Sequence, residues 1–269
     1  AQTFLLTTRD LLHVENPPFP TQLESSLRAV GVFSDALPSP DGLWVAGFGG
    51  IWRVDDDTIR HEYVSATDIL ALCRTAHVPQ SLLFLEGYRL KLLTPSARGG
   101  WVDRDLGVDL PDSPVSLFED AHGEVWVSTL THGIERFRWN RAAPAHAPAL
   151  SLERVYRLGR GLPPNAGRTT LVPLGDRLVV FSDSGILALR ADQLAFEPVP
   201  ELASFLGLAS TRAPSSAHWL VQSKLVANSG IFAVLRVDTA AGELRTTPVD
   251  VPGLDFLGTP HAIAFAGNA

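Results

Sequence analysis

The sequence predicts an all-β chain, a β-propeller of six four-stranded blades closed by strands from both termini. Three observations carry this: a segment of short strands and turns that recurs, the even spacing of its copies, and two chain ends that each supply half a copy. The clearest copy is Val115–Phe137, three short strands separated by turn signals at Gly123 and Gly133. Self-similarity at a fixed period marks repeat folds, in which each repeat buries its faces only against its neighbours.

Taken in order, the copies share an aromatic or apolar anchor on their second strand. These anchors are Phe4, Trp44, Leu82, Trp126, Val179 and Trp219, at intervals of 38 to 53 residues, close to the roughly 40–50 residues of a four-stranded blade. Thr3–Val14 supplies two strands. Ser39–Val54 repeats the plan of the clearest copy, with Trp44 where that copy has Trp126 and a strand opening at Gly50 as one opens at Gly133. Ser81–Leu93 is a plainer version, Asp176–Arg190 a good one without the Trp, and His218–Phe232 one that needs a longer turn. Pro260–Asn268 supplies a first strand that completes the half copy at the start of the chain. Joining the ends in one sheet pairs two strand edges that would otherwise stay open; the alternative is that the ends lie inside a longer array.

Composition supports one all-β domain. The chain has 269 residues, 45% of them hydrophobic, with 22 glycines and 20 prolines spread along its length, as many short strands and frequent turns require. Arg141–Ala149, rich in Ala and Pro, reads as an elongated loop between blades, after which Leu150–Tyr156 resumes the strand pattern. A formal net charge of −7 lacks the basic footprint that binding a phosphate backbone needs, so nucleic acid is not an expected partner. No run reaches the roughly 18 apolar residues of a membrane span, so this chain is not expected to insert in a membrane. The single cysteine, Cys73, excludes an internal disulfide and a multi-cysteine metal site, and reads as a small buried strand residue. Methionine is absent; Ala1-Gln2-Thr3 would suit a mature end after signal cleavage, and a boundary cut within a longer chain would suit it equally.

The segment Val115–Arg138, with Glu119-Asp120 before its turn, Gly123, Val125-Trp126-Val127, Thr129 and Gly133–Phe137, resembles the propeller repeat of two-component regulators, as does the Gly-Leu-Pro phrase at Gly161–Asn165. In that family the propeller is the periplasmic sensor region of a hybrid two-component or diguanylate cyclase receptor. The resemblance therefore implies a periplasmic or extracellular sensor that passes its signal to a downstream module. The copies around Leu82 and Trp219 lack the acidic turn, and the chain is shorter than the family's usual larger blade number needs.

Propeller sites form where loops from every blade converge. The loops between second and third strands offer Arg9, Phe48, Tyr88, His132, Asp183 and Lys224 as ligand-binding residues, and those entering the first strands add Asp68, Asp112, Asn165, Arg168, Arg212 and His261. Oxygens from Asp68, Asp112, Asn165 and Asp183 are the set a calcium-dependent lactonase or hydrolase would use, but no diagnostic motif accompanies them. A Gly-x-Ser-x-Gly elbow is missing, the eight histidines lack metal-ligand spacing, and Gly47–Gly50 leads into a strand rather than the helix of a phosphate loop. No cofactor or metal is expected. His122 reads as an exposed turn residue, and Asp55-Asp56-Asp57 as a solvated turn. Trp44, Trp126 and Trp219 read as packing between blades; Trp52, Trp101 and Trp139 fall outside that register, with Trp101 a candidate stacking platform. The expected function is non-catalytic sensing of a small molecule, a carbohydrate or a peptide. The hydrolase and a protein-interaction scaffold, including self-association as a homodimer, are the other readings.

Overall fold

The computed structural model describes residues 2–7, 11–14, 20–22, 33–39, 42–55, 58–140, 149–174, 177–190, 192–200, 208–210, 217–226, 229–240, 243–249 and 260–266, with side chains for 33–39, 42–55, 58–140, 149–172, 178–190 and 192–200. Every element described is a β-strand. The first are β1 (Gln2–Thr7), β2 (Leu11–Val14), β3 (Pro20–Gln22), β4 (Phe33–Ser39), β5 (Gly42–Val54) and β6 (Ile59–Arg74). Next come β7 (Leu82–Glu86), β8 (Arg89–Pro95), β9 (Trp101–Asp109), β10 (Pro114–Glu119), β11 (Glu124–Thr129), β12 (Ile134–Trp139), β13 (Leu150–Leu158) and β14 (Gly161–Leu162). The last are β15 (Thr169–Leu174), β16 (Arg177–Ser182), β17 (Gly185–Leu189), β18 (Phe196–Pro198), β19 (Leu208–Ser210), β20 (Ala217–Val226), β21 (Ser229–Ala240), β22 (Glu243–Val249) and β23 (Pro260–Ala266). The anchors Phe4, Leu82, Trp126, Val179 and Trp219 fall on β1, β7, β11, β16 and β20, and Trp44 falls on β5.

Contacts divide the chain into two compact units, Ala1–Ala66 with Gly207–Ala269, and Thr67–Leu206. The first unit holds the sheets β23-β1-β2-β3 and β19-β20-β21-β22, together with β4, β5 and the first part of β6. β1 pairs antiparallel with β23 from Gln2↔Ala266 to Thr7↔Pro260, so the two chain ends share a sheet as the sequence predicts. β5 folds back on itself at Phe48–Gly50. A Cβ on Gly42 would strike the Val54 carbonyl at the other end of the same strand, and Gly49 and Gly50 carry φ values of 97° and 145°. Gly50 lies against the Tyr63 carbonyl, and Gly133 in the second unit lies against the Tyr156 carbonyl. A side chain at either position would collide with the fourth strand of its own sheet, which is the physical reason both copies open this strand with glycine.

One expected loop residue is corrected here. Lys224 sits inside β20, opposite Ile231, because the β20–β21 hairpin runs on to Val226↔Ser229 before it turns. Asp55 closes the turn between β5 and β6. Its carboxylate accepts the Thr58 amide at 3.0 Å and pairs with Arg60 at 2.6 Å, and these bonds, led by that from the Thr58 hydroxyl, hold its carboxyl below the usual range.

The second unit contains three successive meanders: the end of β6 with β7, β8 and β9; β10 to β13 with the short β14; and β15 to β18. β11 explains how they stack. All six of its residues are buried, which a half-solvated strand cannot be, so both faces of its sheet are covered. Val125 and Val127 join Leu83, Leu85, Leu92 and Leu117 in one apolar cluster with the preceding meander. Trp126, on the opposite face, joins Tyr156, Val180, Leu187 and Phe196 in a second cluster with the following one. Trp126 thus packs one sheet on the next, stacked on Tyr156 at 5.8 Å and edge-on to Phe196 at 6.4 Å. Its Nε1–H donates to Asp120 at 2.9 Å.

Each meander is clipped in the same place. The first amide after the second strand donates to the segment that enters the first strand: Gly87 to Asp68 at 3.2 Å, Leu130 to Ser113 at 2.8 Å, and Asp183 to Ala166 at 2.8 Å. A second tie runs between sheets. Glu119, at the end of β10, accepts the Ala76 amide at 2.8 Å and the Trp139 indole N–H at 3.3 Å, while its own amide donates to the buried Cys73 Sγ at 3.2 Å. His77 stacks on Trp139 at 4.3 Å. Trp139, outside the packing register in sequence, therefore fastens two sheets together.

Candidate functional site

The turn between β11 and β12, Leu130 to Gly133, is fixed from below. The Asp112 carboxylate accepts the Thr131 amide, the Thr131 hydroxyl at 2.7 Å and the His132 amide at 3.2 Å. These bonds hold the Asp112 carboxyl below its ordinary value, that of the Thr131 hydroxyl foremost. Thr129 closes the turn by donating to the Gly133 carbonyl from its amide at 2.8 Å and from its hydroxyl at 3.1 Å. His132 is thus presented by a braced turn rather than by a loose loop.

Beside it, between β9 and the β12–β13 pair, lies a cleft of about 410 Å³, within the size range of small-molecule sites. Its apolar wall comes from Val108, Phe137, Leu150, Leu152 and Val155; its polar groups are Asp109, His132, Glu135 and Arg157. The register puts Glu135 between Val127 and Val155, on the face that packs against the preceding sheet, and leaves it only 4% exposed. Among the described residues no hydrogen bond reaches its carboxyl group. His132 Nε2 stands 3.7 Å from it, beyond hydrogen-bond range. Burial pushes this carboxyl up from its ordinary value, with the Arg157 charge pulling it partly back.

Arg157 Nη2 and His132 Nε2 are 2.7 Å apart. A guanidinium can only donate, so the imidazole accepts through Nε2 and carries its proton on Nδ1. That nitrogen then has no proton for Glu135, and of the two contacts the shorter one governs. The backbone of Arg157 is itself pinned, exchanging bonds with Arg160 at 2.8 Å each way and pairing with β14. The cleft therefore joins one acidic group without a protein donor, one exposed arginine on a pinned backbone and one imidazole to an apolar wall. Asp109, exposed at the rim, is paired with Arg89 at 3.4 Å.

Of the residues expected from sequence, His132 lines this cleft. Tyr88 stands exposed in the β7–β8 turn, its carbonyl accepting the Leu110 amide. Asp183 is exposed and accepts the Arg168 amide at 3.0 Å, so it braces the loop that carries Arg168. Asn165 is exposed in the turn before β15, whereas Asp68, expected in a loop, is exposed within β6. Phe48 belongs to the other unit, exposed at the fold-back of β5. Arg9 and Arg212 lie outside the described residues; for Lys224 and His261 the backbone alone is described, in β20 and β23. Among the described residues no group of three or more His, Cys, Asp or Glu side chains is placed to hold a metal ion. Trp101 is half-buried opposite Pro95. Glu135 and Arg157 were not foreseen.

No protein-family model matches the chain, and no curated protein matches it. Solved structures do. A virginiamycin B lyase from Staphylococcus aureus is 18% identical with a TM-score of 0.55, over 88% of this chain and 75% of that one. A Bacteroides caccae protein of unknown function is 11% identical with a TM-score of 0.62, over 98% of both chains. The extracellular domain of a protein described as a hybrid two-component system from Bacteroides thetaiotaomicron is 9% identical with a TM-score of 0.58, over 93% of this chain and 33% of that one. At such identities the likeness bears on the fold alone, and the fold is a β-propeller. Among the described residues no helix is long and apolar enough to cross a membrane.

Proposed function

We propose that this chain is a non-catalytic ligand-binding β-propeller of six four-stranded blades, closed by β23 beside β1, acting as the extracytoplasmic sensor part of a bacterial signalling receptor. The observation that carries the binding role is the cleft of β9, β12 and β13, where the Glu135 carboxyl group, an arginine bonded to a histidine, and that histidine face an apolar wall. The Glu135 carboxyl accepts no bond from the described residues and opens on the cleft, where a ligand donor finds a free acceptor. The sensor role draws support from the resemblance of Val115–Arg138 to regulator repeats and from the fold likeness to a two-component extracellular domain. Thermal-shift screening of the whole chain against oligosaccharides, peptides and amino acids tests it. Stabilisation that disappears in Glu135→Gln is the expected result; a chain silent to every class, yet turning over a lactone or ester, would replace binding with catalysis.

The catalytic reading has one observation of its own: Glu135, with its raised pKa, stands 3.7 Å from an imidazole nitrogen, and displaced carboxyl pKa values recur among general acids. A pH–rate profile governed by Glu135 would favour it.

A further inference from the structure

We propose that the cleft takes a free α-amino acid with an apolar side chain, its ammonium group on Glu135 and its carboxylate on Arg157; this rests on the reading of the cleft as a ligand site. Charge makes the selection. A simple cation would meet the Arg157 charge, and a simple anion would leave Glu135 without the positive donor that draws off its proton. A ligand carrying both charges a few bonds apart satisfies each. One imidazole nitrogen lies 2.7 Å from the Arg157 guanidinium and 3.7 Å from the Glu135 carboxyl, which keeps the two groups close enough for the two ends of one small zwitterion to reach both. Among the described residues no salt bridge closes between Arg157 and Glu135, so a ligand has none to break.

The remaining wall fits the rest of such a molecule. Leu152 is 55% exposed at the cleft, and with Val155, Leu150 and Val108 it offers an aliphatic surface to a branched or aromatic side chain. A sugar would find less. Sugar rings stack on exposed aromatic faces, and the single aromatic lining residue, Phe137, is only 4% exposed. An ammonium ion gives Glu135 the hydrogen-bond donors it lacks, and a carboxylate matches the fork of a guanidinium. Four ionisable groups face the ligand: Asp109 from β9, His132 from the turn, Glu135 from β12 and Arg157 from β13. Because burial favours the neutral form of Glu135, an arriving ammonium expels its proton, and affinity should rise with pH across the titration of this group.

Isothermal titration of the whole chain tests this with L-leucine, leucinamide, N-acetyl-leucine and maltotriose. L-leucine should bind, leucinamide and N-acetyl-leucine at least tenfold more weakly. Glu135→Gln and Arg157→Gln should each cost at least tenfold for L-leucine, with unchanged circular dichroism. Loss of discrimination by leucinamide in Arg157→Gln alone would tie the carboxylate to that residue. Maltotriose binding that depends on Glu135 would overturn the amino-acid assignment and leave the cleft a ligand site. Binding of none of the four, or binding indifferent to both substitutions, would overturn the assignment; the broader ligand screen decides separately whether the cleft binds anything.

Discussion

Glu119 and Glu135 stand on the same sheet, both buried and both on the side that meets the preceding meander, yet their surroundings are opposite. Glu119 accepts the Ala76 amide and the Trp139 indole N–H. Glu135 receives no hydrogen bond among the described residues and opens on a cleft. A buried carboxylate supplied with donors from its own sheet and from the facing meander is a structural tie; one that receives none and opens on a cleft is left to accept from a ligand. The difference separates what holds the sheets together from what they hold ready for a ligand.

The largest effect should come from Glu119→Ala. It strands an amide and an indole N–H between sheets, and should lower unfolding free energy by about 2–4 kcal/mol, read from urea denaturation, while leaving ligand affinity unchanged. Trp139→Phe removes one donor and keeps an aromatic ring over His77, so about 1 kcal/mol is expected in the same assay. Glu135→Gln should leave stability within about 1 kcal/mol of wild type or raise it, which is the sharpest contrast with Glu119→Ala. If both glutamates cost the same, the distinction between them fails.

Glu135 also gives a pH signature. Its folded-state pKa is raised, so the folded protein holds the proton more tightly than the unfolded chain does. Its stabilising contribution is complete below the unfolded value and is lost as pH rises through the folded one. Glu135→Gln should flatten that part of a melting-temperature profile. The smallest effect belongs to Asp112, whose lowered pKa works the other way. Its contribution is present above the unfolded value and lost as pH falls through the folded one, so Asp112→Asn should lower the melting temperature slightly at neutral pH and reduce the loss on acidification.

Much of the fold was legible because the copies repeat their backbone chemistry. Gly50 and Gly133 occupy the same steric position in two sheets, and the ends pair as their half copies require. His132 was legible as a candidate because it sits in the turn that follows the clearest second strand. Glu135 was not. In Ile134–Phe137 an alternating strand reads as apolar inward and polar outward, and that rule fails when stacked sheets bury both faces. The Glu135 carboxyl lies on the face of Val127 and Phe137, while Ile134 packs on the other. Arg157 carries no local signal, since its partnership with His132 spans 25 residues. Lys224 was misplaced because the spacing of the clearer copies puts the turn earlier, although Asn228-Ser229-Gly230 marks the place to which the hairpin extends.

The most direct measurement is a carbon-13 NMR titration of the Glu135 carboxyl in the ligand-free protein and with L-leucine. A midpoint above the ordinary glutamate range, falling when the amino acid binds, is the expected result. A midpoint in the ordinary range, unmoved by ligand, would mean a solvated carboxylate and would contradict a cleft built around a buried group awaiting its partner.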